Sequence, residues 1–463
     1  MPPSNRSGEC DFVKVLLSNF AWFVSTLPDA IRFWRALGNP AQAQRTVAAR
    51  RKATRPEDVI LHEPTSGTTG GTKWIPYTEQ LRREFMRAVN PWMASVYLRH
   101  PGLVFCTHYW SISPYTEVKC PKDGPRRGFA EDRDYLGSFR SRLTRVLFPV
   151  AASVAGERDS ERHRQLTAKA LVVSRRLGLV SVWHPSAFLK LLDYMSVHAE
   201  ELATGEVASA LAARDYRRVW PHLRFISCWD ACFAAADAAR LRALFPGAEV
   251  EGKGVMATEG VVTFPWFGRT VAAVTSHTLG FERVDPATGE PVEGTAVGVE
   301  RVEVGERYGI VLTTGNGFTD YRLGDVMECT GFVKRTPVLK FCHRSGGVVD
   351  LHGEKLHPGF VSEVIAKLSA DCGTPRFAVM YPTESGNGYR LLWEPADGGR
   401  LPSVSEVETL LCGNYHYEHA RNLGQLVQVR VERIEDGLSR WCAARGTMEA
   451  VAKVPCLQTP KML

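Results

Sequence analysis

A short segment near the N-terminus combines the chemical groups that a polyphosphate needs. Residues 65–73 read Thr-Ser-Gly-Thr-Thr-Gly-Gly-Thr-Lys. Glycine allows the backbone to turn through positive φ and to bring its N–H groups close to an anion. The hydroxyl groups add hydrogen-bond donors, and Lys73 adds a mobile positive charge. The segment therefore predicts a loop that suits the β- and γ-phosphates of ATP.

The order of these residues distinguishes the loop from other nucleotide-binding motifs. The segment contains neither the Walker string G-x-x-x-x-G-K-[ST] nor the dinucleotide fingerprint G-x-G-x-x-G. The alternative is an ordinary solvated turn between a strand over residues 58–62 and a helix over residues 78–97. We favour the phosphate loop because the ordered string is more specific than its composition.

An acidic residue in the middle of the chain is a candidate metal ligand. Residues 254–260 read Gly-Val-Met-Ala-Thr-Glu-Gly and place Glu259 where a predicted strand leads into a loop. Because Mg²⁺ keeps several water ligands and uses few protein carboxylates, one glutamate can hold the ion against phosphates. The alternative is a solvated Thr-Glu pair at the surface.

A second acidic residue is a candidate for ribose binding. Residues 321–325 read Tyr-Arg-Leu-Gly-Asp, so a glycine turn precedes Asp325. A short carboxylate held in this way can accept hydrogen bonds from both ribose hydroxyls. The alternative is a β-turn between two strands.

Basic residues flank a glycine pair further along the chain. Gly346-Gly347 lies between Arg344 and Lys355, which predicts a hinge that carries positive charge toward the nucleotide. A surface hairpin with incidental charges is the alternative. Near the end, Lys453 offers one more ammonium group, although most C-terminal lysines are solvated.

The length and composition indicate a globular protein with more than one domain. A chain of 463 residues exceeds what one hydrophobic core usually spans. Hydrophobic residues make up 44% of the chain and charged residues 23%, as is typical of soluble proteins. The formal charge of +7 is spread over 57 basic and 50 acidic residues, so it permits an anionic substrate and does not indicate nucleic acid.

The cysteines and the N-terminal region predict a cytoplasmic protein. The 11 cysteines include no C-x-x-C pair, so we expect reduced thiols. Lys14, Asn19 and Asp29 interrupt the apolar stretch over residues 12–31, so we expect neither a signal peptide nor a membrane span. Its apolar residues, among them Phe20, recur at helical spacing, which predicts an amphipathic helix lying on the body of the protein.

The patterns along the chain predict a mixed α/β body followed by a smaller domain. Helical patterns dominate residues 78–98 and 160–204. Short β segments are predicted at residues 261–264, 298–304, 309–313 and 326–329. Near residue 335 the pattern changes to a compact mixture of strands and a helix. We therefore expect an N-terminal ATP- and acyl-binding domain over residues 1–340 and a mobile C-terminal domain over residues 341–463.

The motifs occur in a characteristic order: a phosphate loop, Thr-Glu, Gly-Asp, a basic hinge and a terminal lysine. In this order, and in residues 65–77, 180–185, 254–265 and 312–356, the chain resembles the Gretchen Hagen acyl-amido synthetase family of adenylate-forming enzymes. These are the auxin-responsive conjugating enzymes, and the resemblance is stronger to bacterial members. The resemblance implies a large luciferase-like α/β body with a small α+β C-terminal domain, and it implies ATP and Mg²⁺ as cofactors.

The resemblance also implies roles for individual residues. It assigns phosphate binding to the loop, the α-phosphate and Mg²⁺ to the Thr-Glu pair, ribose to the aspartate, and an approach to the adenylate to two catalytic lysines. The residues concerned are Thr65, Ser66, Thr68, Thr69 and Lys73 in the loop, then Thr258, Glu259, Asp325, Arg344 at the hinge, Lys355 and Lys453.

The chain departs from the family pattern at two places. Met256-Ala257 stands where plant members usually have an aromatic-glycine pair that stacks on adenine, and it cannot stack in that way. Residues 318–321, Phe-Thr-Asp-Tyr, replace a run of the Leu-Tyr-Arg-Tyr type. One phosphate or acyl contact of the family therefore differs here.

The reaction implied by the resemblance is the activation of a carboxylic acid as acyl-AMP, followed by transfer of the acyl group to an amine. Aromatic and aliphatic residues that could enclose the acid are Tyr109, Trp110, Trp183, Phe188 and Leu192, which could equally be core. Two alternatives stay open: an acyl-CoA ligase of the phenylacetate type, and a non-enzymatic nucleotide-binding homologue. The sequence leaves the acid, the amine and the oligomeric state open.

Overall fold

The fold combines helices with parallel and antiparallel sheets. The computed structural model describes residues 6–65, 73–111, 146–154, 157, 159–231, 234–286, 289–352, 354–422, 425–447, 449, 452 and 454–458. Their elements form a mixed α/β body and a smaller α+β unit, which agrees with the predicted fold class.

The N-terminal part is helical up to a single hairpin. Helix α1 (Arg6–Ala36) is followed by α2 (Pro40–Arg50), a 3-10 turn (Pro56–Asp58), the hairpin strands β1 (Val59–Thr65) and β2 (Lys73–Thr78), and α3 (Glu79–Arg99). The predicted amphipathic helix is therefore present and buries Trp22 and Phe33, whereas Phe20 is 58% exposed and lies on the other face. Thr78 begins α3, since its Oγ1 accepts the N–H of Leu81 at 3.0 Å.

A four-stranded parallel sheet follows, in the order β3-β4-β5-β6. Parallel strands need long crossover connections, which are usually helical. The strands are β3 (Thr107–Trp110), β4 (Leu177–Ser181), β5 (Phe225–Cys228) and β6 (Glu249–Gly252). The helices are α4 (Pro149–Val154), α5 (Ser160–Val173), α6 (Pro185–Val197), α7 (Ala199–Leu202), α8 (Gly205–Ala212), α9 (Tyr216–Val219) and α10 (Ala235–Leu244). A 3-10 turn (Pro101–Phe105) precedes β3.

The second large sheet is antiparallel and has the order β11-β12-β13-β14-β10-β9. Its strands are β9 (Thr263–Trp266), β10 (Arg269–Ala272), β11 (Thr278–Arg283), β12 (Arg307–Thr313), β13 (Tyr321–Val333) and β14 (Thr336–Arg344). The short ladder β7 (Met256–Ala257) and β8 (Gly260–Val261) precedes it. The strand predicted over residues 298–304 is absent, because Val299–Arg301 forms a 3-10 turn there.

The C-terminal residues build their own sheet and cores. Strands β15 (Phe377–Pro382), β16 (Tyr389–Glu394) and β17 (Arg430–Arg433) pack with α11 (Pro358–Cys372), α12 (Val404–Leu411), α13 (Tyr415–Asn422) and α14 (Gly437–Arg445). Two apolar clusters lie wholly within residues 349–457. Strand β14 runs through residue 340 to Arg344, so we propose that the junction between the two domains follows Arg344. Within the described ranges, none of the helices combines the length and the apolar character that crossing a bilayer requires.

Strand β3 carries a fully buried histidine whose titration should control acid stability. His108 packs edge-on against Phe148, with ring centres 5.8 Å apart, and burial lowers its pKa to about 4. In the unfolded chain the same ring binds its proton at an ordinary pKa near 6.5. The contribution of neutral His108 to the free energy of unfolding is therefore complete above about pH 6.5. It is lost as the pH decreases from about 6.5 to about 4.

We expect His108→Phe to flatten this pH dependence, because the variant lacks the buried imidazole that gains a proton on unfolding. Urea unfolding of both proteins between about pH 7 and pH 4 measures the two slopes. His416→Phe, at an exposed position, is the control and should keep the wild-type slope. An unchanged slope in His108→Phe would show that His108 does not cause the loss of stability at low pH.

Candidate functional site

The predicted phosphate loop connects the two strands of the β1–β2 hairpin. The strands pair antiparallel, and Thr65 is the register partner of Lys73, so residues 66–72 leave and return at the same end of the ladder. The alternative interpretation is a turn that leads from a strand directly to a helix, but β2 intervenes before α3 begins. Three of the predicted phosphate ligands, Ser66, Thr68 and Thr69, lie outside the described residues.

The predicted metal ligand lies at the tip of the β7–β8 ladder. Residues Thr258 and Glu259 connect Ala257 to its register partner Gly260, and both side chains are half-buried. The Tyr321 hydroxyl donates to Glu259 Oε1 at 3.4 Å. Burial and the neighbouring Glu259 carboxylate raise the pKa of Tyr321, which keeps its proton available for this bond.

An aromatic pair supports this contact. Phe318 stacks on Tyr321 with ring centres 4.5 Å apart and planes inclined by 10°. Both residues belong to the run that departs from the family pattern. Their position beside Glu259 shows that the departure falls at the candidate site itself.

The predicted ribose ligand pairs with the predicted hinge residue. Asp325 and Arg344 are register partners on β13 and β14, and Arg344 Nε lies 3.6 Å from Asp325 Oδ1. Asp325 is only 3% exposed, so its carboxylate needs this positive charge. Arg344 also donates to the carbonyl of Leu323 at 2.9 Å, which fixes its guanidinium beside the turn at Gly324.

The chain leaves the sheet immediately after this ion pair. Ser345 N–H donates to the carbonyl of Gly324 at 2.7 Å, and then Gly346 and Gly347 have φ of +79° and +87°. Residues with side chains rarely adopt such angles, so glycine is needed at both positions. The predicted hinge sequence is thus the first backbone beyond the sheet.

The predicted catalytic lysine Lys355 is exposed and has φ of +46°. Its turn is closed by Glu354, which is fully buried. Glu354 accepts the N–H groups of Leu351 and His352, both at 2.8 Å, and a hydrogen bond from the Tyr389 hydroxyl. Sequence reasoning missed Glu354, because an acidic residue beside a lysine is typical of a solvated turn.

The structure brings the predicted residues together in two groups. Glu259 meets Tyr321, and Asp325 meets Arg344, so strand β13 carries one member of each pair. No hydrogen bond or ion pair among the described residues joins Lys355 to Glu259 or Asp325, and Lys453 lies outside the described residues.

Glu259 could hold the predicted magnesium ion as its single protein carboxylate. In the part of the chain that the structure describes, no cluster of three or more His, Cys, Asp or Glu residues has metal-binding geometry. Mg²⁺ is held through one or two carboxylates together with water and phosphate oxygens, so Glu259 alone suits it.

The predicted acyl residues divide into buried core residues and residues at one edge of the parallel sheet. Tyr109, Phe188 and Leu192 are buried in the core around the parallel sheet, so their assignment to the acid gains no support. Trp110 and Trp183 are half-buried and lie at the carboxyl ends of β3 and β4, where open α/β sheets bind ligands.

Sequence reasoning missed a buried lysine at the same edge of the sheet. Lys253, directly after β6, is 6% exposed and donates to Ser181 Oγ at 2.6 Å. Its ammonium group also lies 5.5 Å from the ring centre of Trp92 and 5.2 Å from that of Trp183.

Two family models match this chain. The GH3 family N-terminal domain matches residues 44–210, and the GH3 family central domain matches residues 272–344. Together they span just over half of the sequence. The chain belongs to the GH3 family. This finding confirms the resemblance that the motifs indicated.

Several GH3 proteins are similar to parts of the chain. Indole-3-acetic acid-amido synthetase GH3.17 of Arabidopsis thaliana is 28% identical over 187 residues, which is 35% of this chain and 30% of that protein. Indole-3-acetic acid-amido synthetase GH3.8 of Oryza sativa subsp. indica is 27% identical over 165 residues, which is 34% of this chain and 26% of that protein. The chain thus aligns with about a third or less of these curated relatives.

One solved GH3 structure matches over nearly the whole length. AtGH3.15 acyl acid amido synthetase in complex with 2,4-DB has a TM-score of 0.70 and 16% sequence identity, covering 91% of this chain and 84% of that one. The match confirms the predicted fold class.

The Glu354 turn yields a stability prediction. We expect Glu354→Gln to lower the free energy of unfolding by about 1–3 kcal/mol, because an amide NH₂ would face a hydrogen-bond donor in a buried site. Urea unfolding measures the change, and Glu435→Gln, at an exposed position, is the control. Equal stability of the two variants would contradict the assigned role of Glu354.

Proposed function

We propose that this chain is an ATP-dependent acyl-adenylating ligase that forms an amide from a carboxylic acid and an amine. The observation that carries the proposal is the juxtaposition on β13: Tyr321 contacts Glu259, and Asp325 pairs with Arg344. The GH3 fold and the names of the relatives, which are amido synthetases, support the same reaction.

The first half-reaction joins the acid to the nucleotide. An oxygen of the acid carboxylate forms a bond to the α-phosphorus of ATP, the bond to the β-phosphate oxygen breaks, and pyrophosphate leaves with the electron pair. The N–H groups of residues 66–72 and the charge of Lys73 hold the β- and γ-phosphates. Asp325 accepts the ribose hydroxyls, and Arg344 holds the Asp325 carboxylate in place.

Glu259 is the residue that would hold magnesium. The ion supplies positive charge to the phosphate oxygens when it is bound. Tyr321 orients the Glu259 carboxylate, and Thr258 stands beside it at the tip of the β7–β8 ladder.

The second half-reaction releases AMP. The amine nitrogen attacks the acyl carbon, the bond from that carbon to the phosphate oxygen breaks, and the amine gives up a proton. We propose that a rotation about Gly346 and Gly347 brings Lys355 and Lys453 to the adenylate for one of the two steps. In the structure, the two units are joined by Arg307 with Glu363 at 2.9 Å and by Lys190 with Ser439 at 2.8 Å.

The test is ATP–pyrophosphate exchange with a panel of carboxylic acids, followed by mass spectrometry with amino acids or CoA as acceptors. We expect exchange with at least one acid and an amide product. No exchange by the folded protein would contradict adenylation, and an acyl-CoA product would favour the CoA ligase alternative. Nucleotide binding without exchange would favour the non-enzymatic homologue.

Asp325→Asn tests the ribose assignment in the same assay. We expect kcat/KM for ATP to fall by about 10- to 100-fold, because an amide replaces the charged acceptor of two hydroxyl groups. Asp397→Asn, at an exposed carboxylate of the C-terminal unit, should leave the value unchanged. Wild-type exchange kinetics in Asp325→Asn would remove Asp325 from the site.

The acid should bind at the carboxyl ends of the parallel sheet, near Trp183 and Lys253. We propose that the Lys253 ammonium group attracts the acid carboxylate and that the half-buried indole ring of Trp183 contacts the rest of the acid. Lys253→Met keeps the apolar stem and removes the charge. We expect it to raise KM for the acid about tenfold or more while KM for ATP stays within about twofold. A rise in KM for ATP alone would contradict this placement.

A further inference from the structure

A buried carboxylate on α3 contacts two other segments of the body. Glu84 is 4% exposed and has none of the predicted site roles. Its Oε2 accepts the N–H of Gly315 at 2.8 Å and lies 3.0 Å from Nδ1 of His277. Its Oε1 accepts the amide N–H of Gln80 at 3.2 Å. Both oxygens are therefore bonded.

The histidine extends this network to the candidate metal ligand. His277 is fully buried, and its Nε2 accepts the N–H of Val261 at 2.8 Å. Because Nε2 is an acceptor, the ring proton is on Nδ1 and points at Glu84. Val261 is two residues from Glu259 and belongs to the β7–β8 ladder, so the imidazole holds the backbone that presents Glu259.

The third segment is the turn between β12 and β13, which leads to Tyr321 and Asp325. The N–H of Gly315 in this turn is bonded to Glu84, and its carbonyl accepts the Thr78 hydroxyl at 2.7 Å. Thr78 is the last residue of β2, the strand that returns from the phosphate loop. Gly315 thus connects the strand that returns from the phosphate loop to the turn before β13.

Packing around the network leaves little freedom. A Cβ at Gly260 would lie 3.1 Å from Nε2 of His277, and one at Gly315 would lie 2.8 Å from Oε1 of Glu84. Burial acts to raise the pKa of Glu84, but the hydrogen bonds from His277 and Gly315 outweigh it and lower the pKa. The carboxylate therefore stays ionised and keeps both acceptors.

We propose that Glu84 and His277 are positioning residues of the nucleotide site, which fix the phosphate hairpin, the Glu259 ladder and the turn before Tyr321 relative to one another. This inference rests on the proposed function. The hairpin and the ladder carry the predicted phosphate and metal ligands, and the turn leads into the strand that carries Asp325. A shift of about 1 Å in such a site can cost about 100-fold in rate. Neither residue touches the reacting atoms, so their effect passes through the backbone at Val261 and Gly315.

The test compares a conservative and a disruptive change at position 277. In His277→Gln the amide nitrogen can donate to Glu84 and the amide oxygen can accept from Val261, whereas His277→Leu removes both bonds. We expect the Kd for ATP with Mg²⁺, measured by titration calorimetry, to rise about 10- to 100-fold in His277→Leu and to stay within about fivefold of wild type in His277→Gln. Glu84→Gln should resemble His277→Leu.

A buried hydrogen-bond network outside the site provides a control that distinguishes a positioning role from a general effect on stability. Asn19 is fully buried, donates to the carbonyls of Val104 and Cys106 at 3.1 and 2.8 Å, and accepts the Tyr97 hydroxyl at 2.6 Å. Asn19→Leu should lower stability to urea but keep the Kd for ATP within about twofold. If Asn19→Leu weakened ATP binding as much as His277→Leu at an equal loss of stability, Glu84 and His277 would have a structural role alone.

Gly260→Ala provides the test if His277→Leu does not fold. The added methyl group would crowd His277 and the Thr314 side chain at 3.2 Å without removing a hydrogen bond, and we expect a rise in Kd of about threefold or more. Wild-type affinity in both Gly260→Ala and Glu84→Gln would overturn the proposal. ATP binding needs no acid, so wild-type protein that binds ATP but forms no acyl-AMP would contradict the proposed reaction alone. Wild-type protein without ATP binding would contradict both.

Discussion

The register between β13 and β14 is the constraint on which the candidate site depends. Side chains alternate between the two faces of a strand, so a slip of one residue would move Asp325 to the opposite face of the sheet from its present partner. The observed register sets Asp325 against Arg344. Tyr321, four residues earlier on the same strand, pairs with Leu312 on β12 and contacts Glu259. Ladders on both sides of β13 hold it in this position.

Buried charge is the second organising principle. Asp325, Glu84 and Glu354 are each nearly or fully buried, and each carboxylate is bonded to donors from other parts of the chain. An unpaired charge in such places would be costly, so these bonds stabilise one arrangement of the surrounding loops over its competitors. The same pairs that satisfy the charges therefore set the geometry of the loops that carry the nucleotide ligands.

Much of the fold could be predicted from local patterns. The family resemblance and the mixed α/β class were confirmed, because ordered glycine and charge motifs and long helical periods are local properties of the sequence. The strand predicted over residues 298–304 was wrong, since Val299 and Val302 are three residues apart, a spacing that also fits a short 3-10 turn. The domain boundary and the roles of Lys73, Lys355 and the other site residues stay predictions.

The residues that sequence reasoning missed share one property. Glu84 and His277 are 193 positions apart, and Lys253 meets Ser181 across 72 positions. An acidic residue within a helix and a lysine before a glycine are typical of solvated surfaces, and only the folded chain shows that they are buried. Contacts between such distant positions leave no periodic signal in a single sequence.

The position of the glycine pair has a mechanical consequence. Gly346 lies two residues after Arg344, so the arginine that pairs with Asp325 is adjacent in the chain to the proposed hinge. A ligand bound next to a hinge moves little when the hinge rotates. A nucleotide bound at Asp325 would therefore lie beside the proposed hinge, so its binding or release would act directly on the segment about which the C-terminal unit is proposed to rotate.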